Sequence, residues 1–243
     1  MINFCQKVIL SFAILSVSTL VNATLITNGS FEQTSFENGS TATGAIFKTD
    51  LQDYETKNKA WDVFTQLPGW VTSYGSGIEL QKNVVTKSYH GSNHVELDSH
   101  PKGSSNAVMT QTLKSLVVGD EYLLEFFYKP RTNNQNDNGI NVFWYDAAID
   151  FNIDMDAVFV ADGTRGLTPN WVHQSVSFTA QAQSMNLSFG AFGKQNTLGG
   201  LIDNVSLNSV SFDRATSVPE PSMLMLFLSS LALFMFRSKK RAH

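Results

Sequence analysis

The sequence predicts an all-β chain whose main domain, residues 24–212, folds as an antiparallel β-sandwich. Three observations support this prediction. Nearly every apolar run is short and ends at Gly, Asn, Asp or Pro, which are the residues that favour turns. Several runs alternate apolar and polar residues with a period of two, as strands with one buried face do. No stretch of the domain shows the apolar spacing of an amphipathic helix.

The domain consists of short runs that read as strands separated by turns. In residues 94–98 the apolar Val95 and Leu97 share one face of the predicted strand. Residues 122–128 are apolar on both faces except at Glu125, which indicates a strand inside a sheet. The predicted strands are residues 25–27, 45–47, 77–81, 94–98, 108–113, 122–128, 140–145, 157–160, 171–179, 185–192 and 201–212, and the predicted loops are residues 34–58, 131–139 and 146–156.

Residues 1–23 read as a secretory signal peptide with an apolar helix. Lys7 gives the positive start, residues 8–20 give the apolar core, and Val21-Asn22-Ala23 gives a small-residue cleavage site. We therefore expect signal peptidase to cut after Ala23. The alternative is a retained N-terminal anchor, for which the apolar run is short.

The C-terminal segment, residues 219–243, combines a proline break, an apolar rod and a basic end. Pro219 and Pro221 disfavour a helix that runs back into the domain. The uncharged residues 223–236 span about 21 Å as a helix, against about 30 Å for the hydrocarbon core of a bilayer. The Arg and Lys residues that follow favour the cytoplasmic side. We expect a transmembrane helix in the inner membrane, with the domain outside and residues 213–218 as a linker.

Pro219-Glu220-Pro221, the apolar rod and the basic end together resemble the PEP-CTERM sorting signal of Gram-negative bacteria. This resemblance implies recognition by an exosortase-type membrane enzyme, cleavage near the Pro-Glu-Pro, and a host that makes extracellular polysaccharide. Such a tail is sometimes named an ice-binding protein C-terminal domain, which implies nothing about ice. The alternative is an ordinary tail anchor that carries Pro-Glu-Pro. The short span favours membrane anchoring that lasts only until processing delivers the domain to the cell surface or matrix.

Charge and cysteine content narrow the classes of partner. Between residues 24 and 220 lie 12 basic and all 21 acidic residues, so the exterior part carries a net charge of −9. This charge argues against nucleic acid and anionic lipid as partners, and it is compatible with neutral sugars and divalent cations. The sole cysteine, Cys5, lies in the signal peptide, so the exported domain has no disulfide, thiol nucleophile or cysteine metal site.

Several motifs appear along the domain in a recognisable order. They are L-I-T-N-G-S-F-E at residues 25–32, H-V-E-L-D-S at residues 94–99, Q-T-L with G-D-E-Y within residues 111–122, and L-I-D-N-V at residues 201–205. Together they resemble the galactose-binding-like jelly roll of xylan- and glucan-binding carbohydrate-binding modules. A related domain occurs in plant cell-wall proteins, whose cysteines this chain lacks. The resemblance implies a β-sandwich that binds carbohydrate.

The resemblance also implies a structural calcium ion. In many such modules the first turn and the last strand meet around Ca²⁺, and the matching side chains here are Glu32 and Asp203, with backbone carbonyls near Asn28. Ca²⁺ takes about six to eight oxygen ligands. Such an ion would tie the chain ends together in a protein without disulfides. The alternative is that Asn28 and Asp203 make only turn hydrogen bonds.

A sugar-binding cleft needs flat aromatic rings beside amide, carboxylate or guanidinium groups. We expect Trp70, Tyr74, Tyr128 and Arg131 to supply them. Tyr128 and Arg131 stand at the end of a predicted strand that contributes to the concave face in similar modules. The alternative is that the aromatic residues pack in the core, as about half of Trp and Tyr side chains do.

A second polar set has a sharper and a simpler interpretation. His94, Glu96 and Asp98 share one face of a strand, which would suit a transition metal. The simpler interpretation is that Val95 and Leu97 point inward, so that the polar set faces solvent or a cleft.

No sequence motif marks a catalytic site. The chain has no Gly-x-Ser-x-Gly, phosphate loop or His-Glu-x-x-His. A glycosidase would need two facing carboxylates, whereas the acidic stretch 146–156 reads as a solvated loop. We therefore expect a non-catalytic, exported protein that binds carbohydrate. The alternative is a structural matrix or adhesion protein that binds protein or itself.

Overall fold

The computed structural model of the protein describes residues 24–34, 58–100 and 105–210. The signal peptide with Ala23, the predicted strand 45–47 and the tail with Pro219, Glu220 and Pro221 lie outside the described residues. The described ranges contain no helix able to span a membrane. Their strands are β1 (Ala60–Phe64), β2 (Gln66–Leu67), β3 (Trp70–Tyr74), β4 (Ile78–Lys82), β5 (Asn93–Glu96), β6 (Val108–Leu113), β7 (Glu121–Lys129), β8 (Gly139–Asp146), β9 (Phe159–Ala161), β10 (Val172–Thr179), β11 (Met185–Phe192) and β12 (Leu201–Ser209).

The strands form two six-stranded sheets, and every pairing is antiparallel. Sheet one has the order β1-β4-β5-β12-β7-β10, and sheet two has the order β2-β3-β6-β11-β8-β9. From β5 onward the chain crosses to the other sheet at each step apart from the β8–β9 pair, as in a jelly roll. This architecture confirms the predicted all-β antiparallel sandwich.

A single apolar core fills the space between the two sheets. Strand β7 shows how the sequence builds it, because buried and half-buried residues alternate along its length. Its inward Phe126 meets Phe189 of β11 edge to face, with ring centroids 5.2 Å apart. This arrangement is favourable beyond the apolar area that it buries. The two outer faces of the sandwich are left for loops or ligands.

Two predicted segments fold differently from the expectation. Residues 25–27 are not a strand, although the backbone N–H of Leu25 donates to the carbonyl of Leu207 at 2.8 Å. The segment with β1, β2 and β3 was not predicted as strands. Its two-residue β2 and the turn at Gly69, with φ of 83°, interrupt the alternation on which strand prediction depends.

Candidate functional site

An open cavity of about 440 Å³ lies on the outer face of sheet two, which we call the sheet-two groove. It crosses the ends of β3, β6, β8 and β11, whose facing residues are in register. The groove is lined by Tyr74, Gly75, Asn106, Val108, Asn141, Phe143, Ile153, Gly190, Ala191, Phe192, Gly193 and Gln195.

The floor of the groove is flat because a glycine stands in its central row. Gly190 of β11 lies between Val108 of β6 and Asn141 of β8. A Cβ atom at Gly190 would come within 2.8 Å of the Val108 side chain and 3.3 Å of the Phe143 ring. The absence of a side chain there lets the neighbouring Val108 and Phe143 pack across the floor.

Beside the groove, hydroxyl groups form a chain across four strands. The hydroxyl of Ser73 lies 2.6 Å from that of Thr110, which lies 2.7 Å from that of Ser188, and Tyr145 closes the chain at 3.1 Å. Each hydroxyl can both donate and accept, so every hydroxyl in this row has a hydrogen-bond partner within the row. This chain ties the strands below the groove into one rigid surface.

Aromatic rings form the walls of the groove. Phe143 is held edge to face by Phe151, with centroids 5.2 Å apart. Tyr74 is 46% exposed at the end of β3, so its ring face is available to a ligand. Phe192 packs over Gly139, where a side chain would collide with its ring. Apolar ring faces therefore alternate with the amides of Asn141 and the other polar residues of the lining.

The lining contains amide side chains but no carboxylate, imidazole or ammonium group among the described residues. Amide groups can donate and accept hydrogen bonds without charge. Ring faces provide apolar contact for a flat ligand surface. Such a lining can bind a neutral molecule that has apolar faces and hydroxyl groups.

Of the four residues expected to bind sugar, only Tyr74 lies in the groove. Trp70 is 0% exposed, and its indole N–H donates to the carbonyl of Asn28 at 3.2 Å. Tyr128 points into the core, and its hydroxyl donates to the carbonyl of Asn138 at 3.0 Å. The predictions for Trp70 and Tyr128 were therefore wrong, because both rings are buried in the core, where Trp70 packs against Phe31 and Phe189.

Arg131 is held by the protein itself on the outer side of sheet one. Its guanidinium bonds both carboxylate oxygens of the buried Glu96, and it donates to the carbonyl of Thr197 at 2.7 Å. Burial raises the pKa of Glu96, and the nearby carboxylate of Glu79 also raises it, while Arg131 opposes the shift. Arg131 thus neutralises a buried carboxylate, and its contact with a ligand stays a prediction.

Glu79 and Glu96 stand opposite each other on β4 and β5, yet they do not form an accessible acid pair. They are 1% and 0% exposed, and the amide nitrogen of Gln81 donates to both. The carboxylate of Glu79 also contacts the Nδ1 of His100 at 2.8 Å. This pair belongs to a buried polar cluster away from the sheet-two groove.

His94 belongs to the same buried cluster. Its Nδ1 lies 2.9 Å from the hydroxyl of Ser88, and its Nε2 lies 3.2 Å from the amide oxygen of Gln81. Because the amide nitrogen of Gln81 is already donating, its oxygen must accept, so the proton sits on Nε2 of His94. Burial, with the charges of Lys129 and Arg131, lowers the pKa of His94 to about 3. His94 is therefore a neutral structural residue, and the transition-metal interpretation was wrong.

Glu32 and Asp203, the carboxylates expected to bind calcium, hold a loop in place by hydrogen bonds. Glu32 accepts from the backbone N–H groups of Ser92 and Asn93 at 2.8 and 2.7 Å. Asp203 accepts from the backbone N–H of His90 at 2.9 Å. Burial raises the pKa of Asp203 to about 7, backbone donors lower it, and the Glu32 charge adds to the rise. The two carboxylates therefore lie near each other on one loop.

Asn28 does not join those carboxylates. Its amide nitrogen donates to the carbonyls of Gln33 and Pro68, and its oxygen accepts from the N–H of Gln33 at 2.9 Å. Within the described ranges, no group of three or more His, Cys, Asp or Glu residues is arranged to hold a metal. These contacts fit the turn interpretation of Asn28 and do not support a calcium ligand set, so calcium at Glu32 and Asp203 stays a prediction.

The sequence contained one signal for the groove that motif matching did not use. In the predicted strand 140–145, alternation places Asn141, Phe143 and Tyr145 on one face. An amide followed by two aromatic residues on an outer face is a pattern for a ligand surface. The contributions of Phe192 and Gln195 had no comparable signal, because they lie at the end of β11 and in the loop beyond it.

Two curated toxins contain a region similar to this chain. The multifunctional-autoprocessing repeats-in-toxin protein of Vibrio vulnificus is 27% identical over 209 residues, which is 78% of this chain and 4% of the toxin. That of Vibrio cholerae is 26% identical over 207 residues, with the same coverage. The chain thus spans only a small part of the length of these relatives.

Solved structures show a more distant likeness. A Stig cyclase from Fischerella sp. TAU, in complex with an indole compound, is 17% identical with a TM-score of 0.46, covering 76% of this chain and 95% of that one. TmCBM61, in complex with β-1,4-galactotriose, is 13% identical with a TM-score of 0.45, covering 77% and 99%. At these scores the likeness carries no argument about function.

A family model matches most of the described domain. The match covers residues 24–208, from the first described residue to the last strand β12. It therefore includes both sheets and every strand that lines the sheet-two groove. The chain belongs to the family described as Protein of unknown function (DUF642).

Proposed function

We propose that the domain is a non-catalytic carbohydrate-binding module and that the sheet-two groove binds a neutral sugar chain. The observation that carries this proposal is the lining of the groove, which combines aromatic rings, among them the exposed ring of Tyr74, with uncharged amides. Sugars present apolar C–H faces and a rim of hydroxyl groups, so rings and amides complement them. A cavity of about 440 Å³ falls in the usual range of ligand sites, roughly 300 to 1,000 Å³.

The same lining favours binding over catalysis. Glycoside hydrolysis requires two carboxyl groups at a set separation beside the scissile bond. The groove provides none among its described residues, and the facing pair Glu79 and Glu96 is buried on the other sheet. The acidic exterior further favours a neutral glycan over an acidic one, since like charges repel.

Retention on insoluble polysaccharides tests the proposal. We expect the full-length protein to be retained on a neutral polysaccharide such as xylan or β-glucan, and less on alginate. Tyr74→Ala and Asn141→Ala should each weaken retention by about tenfold or more, the size of a central contact. Tyr89→Ala is the matched control, because Tyr89 is equally exposed, at 48%, but stacks on Phe127 of sheet one.

Two outcomes would overturn this assignment. The first is no retention of the wild-type protein on any neutral or acidic polysaccharide, which would favour the adhesion alternative. The second is retention that depends on Tyr89 and not on Tyr74, which would move the site to sheet one.

The route to the cell surface is part of the same proposal and rests on sequence alone. The signal peptide directs export through the inner membrane, and residues 219–243 hold the protein there until an exosortase-type enzyme acts. Changing the Pro-Glu-Pro by Glu220→Ala, or truncating after Pro221, should alter membrane retention and processing. Glu121→Ala is a control in the exposed part of the domain. If Glu220→Ala and the truncated protein are processed like the wild-type protein, the sorting signal is rejected.

A further inference from the structure

Among the described residues, the buried side-chain polar atoms that lack a partner lie in two connections between the sheets, β3 to β4 and β5 to β6. Ser99 links the two connections by hydrogen bonds. Its backbone N–H donates to the carbonyl of Ser105 at 2.8 Å, and its hydroxyl donates to the carbonyl of Gly77 at 2.6 Å. Buried polar atoms are nearly always paired, so a local group of unpaired atoms indicates a missing partner. The atoms are Ser76 Oγ, Asp98 Oδ1, Ser105 Oγ and Asn106 Oδ1.

Asp98 and Asn106 are direct partners in an antiparallel bridge. The backbone N–H of Ser99 donates to the carbonyl of Ser105, and that of Ala107 donates to the carbonyl of Leu97. These bonds flank Asp98 and Asn106, which are therefore a non-hydrogen-bonded pair. Side chains of such pairs lie closest together on one face. The Asp98 and Asn106 side chains are therefore neighbours at the end of the sheet-two groove, which Asn106 also lines.

Other bonds fix the orientation of both side chains. The amide nitrogen of Asn106 donates to the carbonyl of Gly193 at 3.1 Å, which assigns the unpaired atom as oxygen. Oδ2 of Asp98 accepts from the N–H groups of Asn196 and Leu198 at 3.2 and 2.9 Å. Its Oδ1 is left without a donor, although Asp98 is only 1% exposed. Two neighbouring oxygens thus lack a positive partner.

The chemistry of the two oxygens limits what that partner can be. Both are buried away from water. Ca²⁺ is a hard cation that takes carboxylate and amide oxygens at about 2.3 to 2.6 Å. This distance is shorter than the roughly 2.7 to 3.0 Å at which water and sugar hydroxyls approach an acceptor.

We propose that Asp98 and Asn106 hold a Ca²⁺ ion at the end of the sheet-two groove. One carboxylate and neutral oxygens make a weak site, with a dissociation constant of about 10⁻⁴ to 10⁻³ M, as in extracellular modules. The site is separate from Glu32 and Asp203, which hold the loop at His90. Because its ligand is a metal ion, the proposal does not depend on glycan binding.

Thermal unfolding of the full-length protein, first stripped with EDTA, tests the site directly. We expect CaCl₂ at ten times the dissociation constant to raise the Tm by roughly 3 °C or more, and MgCl₂ to raise it less. Asp98→Asn should abolish the rise. Asn106→Asp should lower the Ca²⁺ concentration needed by about tenfold, since it adds a carboxylate ligand. A gain of affinity cannot arise from misfolding.

Glu32→Gln distinguishes this site from the one implied by the family resemblance. The variant should keep the Ca²⁺ response of the wild-type protein. Loss of the response in Glu32→Gln but not in Asp98→Asn would place the ion at the other site and overturn the proposal. A wild-type Tm that does not respond to Ca²⁺ up to 10 mM (about ten times the weakest constant expected), or that responds equally to Mg²⁺, would also overturn it.

Discussion

Glu96 is fully buried beside a second glutamate, and a single arginine balances its charge. A buried carboxylate is costly unless it is paired and hydrogen-bonded. Arg131 meets that requirement from the chain segment after β7, and the backbone N–H of Gly199 adds a bond at 2.6 Å. Three distant parts of the chain therefore converge on one side chain. At this scale, the buried polar residues of sheet one stabilise the fold by pairing with one another.

Arg131→Met should lower the free energy of unfolding by about 3 to 5 kcal/mol, because it leaves Glu96 buried without its partner. Adding Glu96→Gln should recover part of the loss. Chemical denaturation of the single and double variants measures both effects. Arg165→Met is the control, since Arg165 is exposed. This substitution should change the free energy of unfolding by less than about 0.5 kcal/mol. A loss of glycan retention in a stably folded Arg131→Met would contradict the structural role.

Asp203 should give the protein a pH-dependent stability. Its pKa is about 7 in the folded state against 3.8 for the ordinary group, and desolvation by burial is the main cause. The folded state therefore keeps a proton that the unfolded chain releases. The stabilisation is fully present below about pH 4 and is lost as the pH rises to about 7, by about 4 kcal/mol at most.

Urea unfolding at pH 4 and pH 7 measures this contribution. The free energy of unfolding of the wild-type protein should fall with pH relative to that of Asp203→Asn, in which the titrating group is absent. Asp150→Asn, in an exposed turn, should follow the wild-type curve. Parallel curves for the wild-type protein and Asp203→Asn would show that Asp203 titrates normally.

At the scale of elements, the groove depends on cross-strand packing within sheet two. Gly190→Ala should destabilise the domain by about 1 to 3 kcal/mol, because the added methyl group meets the stiff side chain of Val108. Val108→Ala makes room for it, so the double variant should lose less than the sum of the single losses. A double-mutant cycle by denaturation measures this coupling. Strictly additive losses would mean that the strands move apart to accept the methyl group.

Five strands of the two sheets could be predicted closely. Strands β6 and β11 have the predicted bounds, and β7, β8 and β10 differ from the prediction by one residue at one or both ends. Period-two alternation between turn residues is a local property, so it survives in any fold that buries one face. Strands β1 to β3 could not be predicted, because a short strand and tight turns interrupt their pattern.

At the scale of the whole molecule, the first described residues fasten to the last strand. The backbone N–H of Val205 donates to the carbonyl of Gly29 at 2.8 Å, and Leu25 bonds Leu207 at the same distance. A side chain at Gly29 would collide with the carbonyl of Val205. These contacts bring the two ends of the domain together without a disulfide, since Cys5 is the sole cysteine.

Gly29→Ala should therefore loosen the joined ends and lower the free energy of unfolding by about 1 to 3 kcal/mol. Gly163→Ala is the matched control, because the nearest atom to a Cβ there is 3.6 Å away. Thermal unfolding compares the two variants. Equal stability of both would show that β12 does not need the N-terminal segment.

The sequence by itself determined the class of fold, since alternation and turn residues act over a few neighbours. It also predicted that His94, Glu96 and Asp98 share one face. Only the tertiary structure decided what covers that face, because the covering residues, such as Arg131 and Gly199, are far away in the chain.

Packing by residues far away in the chain also explains which aromatic rings are open at the candidate site. Tyr74 and Trp70 lie on one short strand, yet one ring is open and the other is buried. Alternation alone would place both rings on one face, but the pairing of β3 with β6 shifts register between Thr72 and Tyr74. Exposure also depends on which residues of other strands pack against each ring. The chemistry of the side chains was therefore readable from the sequence, whereas their availability to a ligand followed from long-range packing.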